Sequence, residues 1–213
     1  MADNKLTGKG TYALPDGAVY EGEFVNGLFH GKGKITFPAG DAYEGDFAAG
    51  NYHGKGTYTF ANGEMYFGDF ADGSMCGKGT YIYHDGEVYE GSFDKGSRCS
   101  KGKLIIPDGA VYEGDFTRDK LHGTGKETTP DGDVYEGNFV DSKRHGKGKL
   151  TTTDGEVYEG GFAGGKYHGK GTYTDPEGGT FEGDFIEGNL HGTGKITLPS
   201  GRVFKCEIIE KKN

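Results

Sequence analysis

One short unit recurs along the whole chain at a fixed interval. Tyr-Glu-Gly, or a close variant of it, begins every 23 residues, with no insertion between copies. The copies start at Tyr20, Tyr43, Tyr66, Tyr89, Tyr112, Tyr135 and Tyr158, and phenylalanine takes the tyrosine position at Phe181 and Phe204. Eight full repeats therefore occupy residues 20–203, and residues 1–19 and 204–213 supply partial repeats at the two ends. Such a period is typical of proteins that stack one small structural unit many times.

Each repeat has the pattern of a β-hairpin. In the segment YEGDF, residues 112–116, aromatic and glycine positions alternate with acidic ones, which is the period expected of a strand with two unlike faces. Two residues after the phenylalanine of this segment, the repeats carry pairs such as Asn26-Gly27 and Asp72-Gly73, which suit the left-handed turns of two-residue hairpins. A second strand follows and ends in Pro-Asp-Gly or a relative of it, which favours another tight turn.

The position of the two-residue turn predicts the register of every hairpin. In the first full repeat it pairs Phe24 with Phe29, Glu23 with His30, Gly22 with Gly31, Glu21 with Lys32 and Tyr20 with Gly33. The same count pairs Glu44 with Lys55, Asp46 with His53, Glu90 with Lys101, Asp115 with His122, Glu136 with Lys147, Glu159 with Lys170 and Asp184 with His191. Carboxylates then meet bases on one face, and aromatic rings lie beside glycines on the other.

These features predict an all-β fold: an elongated single-layer antiparallel ribbon of tandem β-hairpins. Glycine weakens an isolated strand, but here it gives the rings of neighbouring strands room to lie flat across the backbone. With strands about 4.8 Å apart, equivalent residues of adjacent repeats are about 9.6 Å apart, and the ribbon extends about 80 Å.

The composition argues against several functional classes. The chain has 43 glycines, no tryptophan and 32% hydrophobic residues, so a thick core is not expected. Its net charge of -9 disfavours a nucleic-acid partner and nonspecific attraction to anionic lipid. The N-terminal sequence lacks the apolar run of a signal peptide, and no stretch approaches the length of a membrane span. Three unevenly spaced cysteines indicate no disulfide framework, and the expected location is cytoplasmic.

The pattern Y-E-G-x-F-x-x-G-x-x-H-G-K-G at a period of 23 residues resembles the MORN repeat, the membrane occupation and recognition nexus. The resemblance covers almost the whole chain. It implies the same hairpin ribbon and a binding or scaffolding module, since the chemistry of enzymes that carry these repeats resides in separate catalytic domains. It also implies a setting in the cytoskeleton or in a cilium or flagellum.

The sequence predicts neither an enzyme nor a cofactor or metal site. His30, His53, His122, His145, His168 and His191 share one position of the repeat, which Cys76 and Cys99 fill in two others. Zinc ligands must lie about 2.0–2.3 Å from one metal, whereas neighbours in this column are about 9.6 Å apart, so one chain cannot close a site from the column alone. A site shared between two chains stays open. Gly-Lys-Gly is only a fragment of a phosphate-binding loop and opens no predicted helix.

The aromatic face is the candidate partner-binding surface. Its predicted contact residues are Tyr20, Phe24, Phe29, Tyr43, Phe47, Tyr52, Tyr66, Phe70, Met75, Tyr89, Phe93, Tyr112 and Phe116. A one-layer ribbon has no second sheet to cover these side chains, so a partner could cover them. The alternative is that the rings shield one another. Arg98, Lys120, Lys143 and Arg144 belong to a central basic cluster that could contact lipid or an acidic partner.

Two functions follow from these observations. The first is a noncatalytic scaffold or adaptor whose aromatic-lined groove binds a helix or an extended segment of a protein in a cytoskeletal or ciliary assembly. The alternative is a peripheral phospholipid-binding module. The sequence ends in a strand without a return strand, which predicts a homodimer through the C-terminal strand. Departures from the pattern, including Ser100, Asp119, Ser142 and Glu127, predict an irregularity around the fourth to sixth repeats.

Overall fold

The computed structural model describes residues 6–208, which fall into two compact units, one within Met1–Pro107 and the other within Asp108–Asn213. Residues 1–5 and 209–213, which belong to the predicted terminal partial repeats, lie outside the described residues. Within residues 6–208 no helix is long and apolar enough to cross a membrane. Every element there is a β-strand.

Unit 1 contains strands β1 to β9. Their bounds are β1 Gly8–Ala13, β2 Val19–Val25, β3 Leu28–Thr36, β4 Ala42–Ala48, β5 Asn51–Thr59, β6 Met65–Ala71, β7 Ser74–Ile82, β8 Val88–Asp94 and β9 Ser97–Ile105. Each strand pairs antiparallel with the next strand in sequence, from β1–β2 to β8–β9.

Unit 2 contains strands β10 to β18 in the same arrangement. Their bounds are β10 Val111–Thr117, β11 Lys120–Thr128, β12 Val134–Val140, β13 Lys143–Thr151, β14 Val157–Ala163, β15 Lys166–Thr174, β16 Thr180–Ile186, β17 Asn189–Thr197 and β18 Val203–Ile208. Sequential antiparallel pairing again runs through the unit. The prediction of single-layer antiparallel sheets built from tandem hairpins is confirmed in both units.

The two-residue turns lie where the sequence predicts them. Asn26 and Gly27 have φ values of 53° and 79°, and Asp72 and Gly73 have 48° and 81°. Positive φ at both central positions defines the type I′ turn, whose twist matches that of the flanking strands. The second turn of each repeat is also a tight turn. Before β2, the Gly17 amide donates a hydrogen bond to the Leu14 carbonyl oxygen over 3.0 Å.

The predicted register holds only for the half of each hairpin nearest the two-residue turn. Phe24 lies opposite Phe29 and Glu23 opposite His30, as predicted. Beyond them a bulge shifts the register by two residues, so that Gly22 faces Gly33, Glu21 faces Lys34 and Tyr20 faces Ile35. The bulge contains Gly31, whose φ of 60° breaks the extended backbone of β3.

The equivalent bulge in each later repeat determines which of the predicted cross-strand pairs form. Asp46 with His53 and Asp184 with His191 are confirmed. Glu21 with Lys32, Gly22 with Gly31, Tyr20 with Gly33, Glu44 with Lys55, Glu90 with Lys101, Glu136 with Lys147 and Glu159 with Lys170 are wrong, because each pair lies beyond the shift. The pairing of Asp115 with His122 stays a prediction.

Several lysines displaced by the bulge pair with the next repeat instead. The Lys32 Nζ lies 2.7 Å from a carboxylate oxygen of Asp46, and the Lys55 Nζ lies 2.6 Å from one of Asp69. The contact with Lys32 lowers the pKa of Asp46 from its usual value. These lysines are mostly exposed, so each pair contributes only about 0.2–1 kcal/mol. These two ion pairs therefore join neighbouring hairpins, whereas Lys195 and Glu182 pair within one hairpin.

Candidate functional site

The core of each unit is a ladder of aromatic rings on one face of its sheet. The Tyr43 ring meets Phe47 edge to face at a centroid distance of 5.1 Å and Phe70, in the next repeat, at 4.9 Å. In unit 2, Tyr135 contacts Phe139 and Phe162 in the same way, at 5.1 and 4.8 Å. Such contacts add to the free energy gained from burying the rings. A single-layer sheet therefore obtains its core across its own strands.

Glycines make room for this ladder. The Tyr20 ring lies against Gly22 and Gly33, and a β-carbon at either glycine would overlap it. Although Tyr20 faces Ile35 in the register, its ring reaches diagonally over these glycines. The prediction that rings lie across glycine backbone is confirmed for Gly22 but is wrong for Gly31, where an added β-carbon would meet the Glu23 side chain instead.

Most of the predicted contact residues belong to this ladder rather than to the surface. Tyr20, Phe24, Tyr43, Phe47, Tyr66, Phe70, Tyr89, Phe93 and Phe116 are buried, with exposed fractions of 0–4%. A buried ring has no surface to offer a partner, so we correct the assignment of these residues from partner contacts to core. The aromatic face shields itself at these positions.

The half-buried residues of that prediction are Phe29, Tyr52, Met75 and Tyr112. Phe29 stacks on the buried Tyr20 at 3.8 Å, and Tyr52 stacks on Tyr43 at 4.0 Å. Phe29 and Tyr52 therefore form an outer layer over the core, and Met75 holds the same register position opposite Phe70. These three residues are the part of the aromatic face that a partner can reach, whereas Tyr112 occupies a ladder position.

In unit 1 this outer layer borders a groove of about 260 Å³. Its lining includes Tyr52, Tyr58, Phe60, Met75 and Lys95. The sequence prediction omitted Tyr58 from the contact residues, although the corresponding position also carries Tyr81 and Tyr173. Tyr58 and Phe60 pack together at 4.6 Å and are both half-buried. The groove therefore presents a continuous set of partly exposed rings.

The hydroxyls of Tyr52 and Tyr58, at this groove, have no hydrogen-bond partner among residues 6–208. By contrast, the hydroxyl of the buried Tyr43 donates to the Asp46 carbonyl oxygen. Burial raises the pKa of Tyr52 and of Tyr58, and the negative charge of Asp41 raises both further. Both hydroxyls therefore remain protonated at neutral pH and are available as hydrogen-bond donors.

Carboxylates accompany the aromatic face of unit 1. Asp41, Glu64 and Glu87 are half-buried and lie two residues before a tyrosine of the ladder, a spacing that places them on the same face. Glu64 accepts a hydrogen bond of 2.6 Å from the Tyr81 hydroxyl and lies 3.1 Å from the Nδ1 of His84. These two contacts lower the pKa of Glu64 to about 2.

The predicted basic contacts do not form one surface. Arg98 lies over the rings of Tyr83 and Tyr89, at 5.8 and 5.4 Å from their centroids. Arg144 lies over Tyr135 at 5.1 Å, and its Nε donates to Glu127 over 2.7 Å. Both arginines therefore make contacts within the aromatic face, and their contact with lipid or an acidic partner stays a prediction.

Lys120 and Lys143 begin strands at the turn edge of unit 2. Both are exposed, and Lys120 lies 3.5 Å from Asp141. The opposite, polar face carries a groove of about 1000 Å³ in each unit, where lysines alternate with carboxylates, glycines and threonines.

No group of three His, Cys, Asp or Glu side chains within residues 6–208 is placed to hold a metal ion. Cys76, Cys99 and Cys206 are free thiols. His30 and His53 lie on the polar face opposite Glu23 and Asp46.

Comparison with protein families identifies the repeat. The family model of the MORN repeat matches nine consecutive segments: residues 1–19, 20–42, 43–65, 66–88, 89–111, 112–134, 135–157, 158–180 and 181–201. The chain belongs to the MORN-repeat family. A search of curated proteins returned no match.

Comparison with solved structures found similar chains at low sequence identity. The E1021V mutant of the TCP10 domain of Danio rerio CPAP is 15% identical, with 93% of this chain and 99% of that chain covered and a TM-score of 0.50. The wild-type domain in complex with a peptide of Danio rerio STIL is 16% identical, with 94% and 99% covered and a TM-score of 0.41. The first likeness shows the fold alone, and the second supports no inference for this chain.

Residues that depart from the MORN pattern adopt the backbone conformation of the glycines that they replace. Ser100 has a φ of 51° where Gly31 has 60°, and Asp119 and Ser142 have 67° and 63° at the turn-glycine position. Glu127, at a position that is otherwise aromatic or aliphatic, is balanced by Arg144.

Proposed function

We propose that this MORN-repeat chain is a noncatalytic scaffold that holds a segment of a partner protein in the groove of unit 1. The observation that carries the proposal is the set of partly exposed side chains at Tyr52, Tyr58, Phe60 and Met75 beside two tyrosine hydroxyls that are free to donate. Apolar surface of this kind, next to unused polar groups, is typical of a protein-binding site.

We place this scaffold in a cytoskeletal assembly, such as that of a cilium or flagellum. A helix or an extended segment of a larger protein is the occupant we propose for the groove. The outer-layer residues Phe29, Tyr52 and Met75 contact it, whereas the buried ladder keeps the groove rigid. Preorganised contacts of this kind reduce the ordering cost of binding.

Association of two copies through β18 remains a second element of the proposal. In this strand Val203 and Phe204 are 54% and 42% exposed. Deletion of residues 203–208 should then lower the molecular mass measured by light scattering. No specific observation favours a phospholipid site, because Arg98 and Arg144 are engaged with rings of their own unit.

Site-specific photo-crosslinking in cells tests the scaffold. A photoreactive phenylalanine analogue at Tyr52 should capture one protein in the detergent-resistant cytoskeletal fraction. The same analogue at Tyr167, the equivalent residue of unit 2, which stacks on Tyr158 at 3.7 Å, is the matched control and should not capture that protein. Identical capture at both positions, or crosslinks to lipid alone, would refute the proposal.

A further inference from the structure

We infer that the occupant of the unit 1 groove is a polyproline II segment of another protein, running across the strands and carrying a basic residue at the end near Asp41. The inference rests on the proposed function, because it specifies what the scaffold holds. Its grounds are the spacing of the ring ladder, the free hydroxyls and the charge around the groove.

The ladder has a short and constant spacing along the sheet. The two edge-to-face distances of Tyr43, 5.1 and 4.9 Å, limit the separation of Phe47 and Phe70 to about 10 Å. Two strands about 4.8 Å apart give a similar repeat of about 9.6 Å. A polyproline II helix rises about 3.1 Å per residue with three residues per turn, so the same side of it returns every 9.3 Å or so. One turn of the segment therefore matches one repeat of the sheet.

Other backbone conformations match the sheet less well. An α-helix returns to the same face after seven residues, about 10.5 Å, and its mismatch per repeat is about three times as large. A β-strand presents the same face every two residues, about 6.7 Å, and the 9.6 Å or so between repeats of the sheet is not a multiple of that distance. Strand addition also requires a sheet edge, whereas the groove lies on the face of the sheet.

The chemistry of the groove suits a polyproline II segment. Such segments dock between partly exposed aromatic rings, and their carbonyl groups have no internal hydrogen bonds. Tyr52 and Tyr58 supply rings together with free hydroxyl donors for those carbonyls. One position of the repeat carries aromatic residues in unit 1 and polar residues in unit 2. It is Phe37, Phe60 and Tyr83 in unit 1, and Thr129, Thr152 and Asp175 in unit 2. The aromatic strip is therefore specific to unit 1.

The charge near Tyr52 and Tyr58 favours a basic residue at that end of the segment, whereas Lys95 makes another part of the lining basic. The Asp41 carboxylate accepts a hydrogen bond from the Ala61 amide over 3.3 Å, which places it beside the segment that carries Tyr58 and Phe60. Its negative charge contributes to the raised pKa of both Tyr52 and Tyr58. Asp41 lies 9.6 Å or so from Glu64 along the sheet, one turn of a polyproline II helix away. Glu64 already binds Tyr81 and His84, so Asp41 is the carboxylate we assign to the arginine or lysine of the segment.

Selection of random 12-residue peptides displayed on phage, with the full chain as bait, tests the inference. We expect peptides with proline or another apolar residue at every third position and at least one arginine or lysine, and a polyproline II circular dichroism spectrum. The double variant Tyr52→Phe and Tyr58→Phe keeps the rings and removes the hydroxyls, so it should weaken binding of these peptides about tenfold. Tyr167→Phe in unit 2 is the matched control and should leave binding unchanged.

The outcomes separate this inference from the proposed function. Some selected peptides could lose binding with the double variant or with Met75→Lys and yet be helical or lack the three-residue period. Such peptides would overturn the polyproline II assignment but would leave the proposed scaffold function standing. Failure to select any peptide that depends on these groove residues would overturn both.

Discussion

The hydroxyl of Tyr43 donates a hydrogen bond to the main-chain carbonyl oxygen of Asp46, 2.8 Å away. The equivalent hydroxyl of Tyr20 lies 2.8 Å from the Glu23 carbonyl oxygen. Asp46 and Glu23 border the bulge at which the hairpin register shifts. The tyrosine that fills the core therefore also satisfies a carbonyl group next to the bulge, although the bulge itself also forms beside Phe181, which has no hydroxyl.

Removing this hydroxyl should destabilise unit 1. Tyr43→Phe leaves the ring in place but deprives the Asp46 carbonyl of its donor, so we expect a loss of about 1–2 kcal/mol in the free energy of unfolding. Urea denaturation followed by circular dichroism measures it. Tyr12, which is 50% exposed, provides the control, and Tyr12→Phe should change stability by less than about 0.5 kcal/mol. Equal effects of the two substitutions would contradict this role of the hydroxyl.

Replacing a serine by glycine should stabilise the same unit. Ser100 adopts a φ of 51°, a left-handed conformation that is unfavourable for a residue with a β-carbon. Ser100→Gly should therefore raise the free energy of unfolding by about 0.5–1 kcal/mol. Ser97→Gly is the control within β9, because glycine in an extended strand costs about 0.5–1 kcal/mol. Thermal unfolding should show opposite shifts in Tm, and a lower Tm for Ser100→Gly would disprove the argument.

The ion pair of unit 2 should behave as a buried pair. The side chains of Glu127 and Arg144 are only 16% and 18% exposed, and 2.7 Å separates their charged atoms. Arg144→Met alone should cost about 3 kcal/mol, since it leaves a poorly hydrated carboxylate without its partner.

A double variant provides the control for this pair. Glu127→Leu with Arg144→Tyr reproduces Leu150 and Tyr167 of the following repeat and should restore at least the wild-type stability. Chemical denaturation of Glu127→Leu, Arg144→Tyr and the double variant closes the cycle and gives the coupling energy. Additive losses in the double variant would show that the pair is not the source of the effect.

Acid should weaken unit 1 through Glu64. Hydrogen bonds from Tyr81 and then His84 lower its pKa from 4.5 to about 2. A depressed pKa stabilises the fold above the unfolded value, so this contribution is fully present above pH 4.5 or so and is lost as the pH falls towards 2. Glu64→Gln should therefore have a smaller stability difference between pH 5 and pH 2.5 than the wild type.

Denaturant unfolding at these two pH values checks the assignment to Glu64. Glu177, which is exposed in a loop, is the control position, and Glu177→Gln should keep the wild-type pH dependence. An unchanged difference in Glu64→Gln would mean that other carboxylates cause the acid sensitivity.

The strands and turns could be predicted because each depends on local sequence. Alternation defines β2, and Asn26-Gly27 defines its turn. The register could not be completed by counting alone, since the bulge at Gly31 brings Gly33 opposite Gly22 under the Tyr20 ring, a packing that the period does not reveal. A signal was nevertheless present. The first strand of each hairpin has seven residues and the second has nine, as in β2 and β3, and such unequal strands require a bulge.

The candidate site was harder to predict than the fold. Periodicity identified the aromatic face but could not separate buried rings such as Tyr43 from the outer layer, because both occur in every repeat. That distinction depends on which ring lies next to glycine and which one stacks on top of it. The free hydroxyls of Tyr52 and Tyr58 could not be predicted either, since the same residue type at Tyr81 is bonded to Glu64.

The lysine and aspartate pairs between hairpins have a consequence for how such a chain changes in length. Lys32 meets Asp46 of the next repeat, and Lys55 meets Asp69 in the same way. Loss of residues 43–65 would join residue 42 to residue 66 and place Asp69 opposite Lys32, so the new junction would carry the same pair as the old ones. A repeat flanked by two such pairs can therefore be gained or lost during evolution without any compensating substitution at the junction.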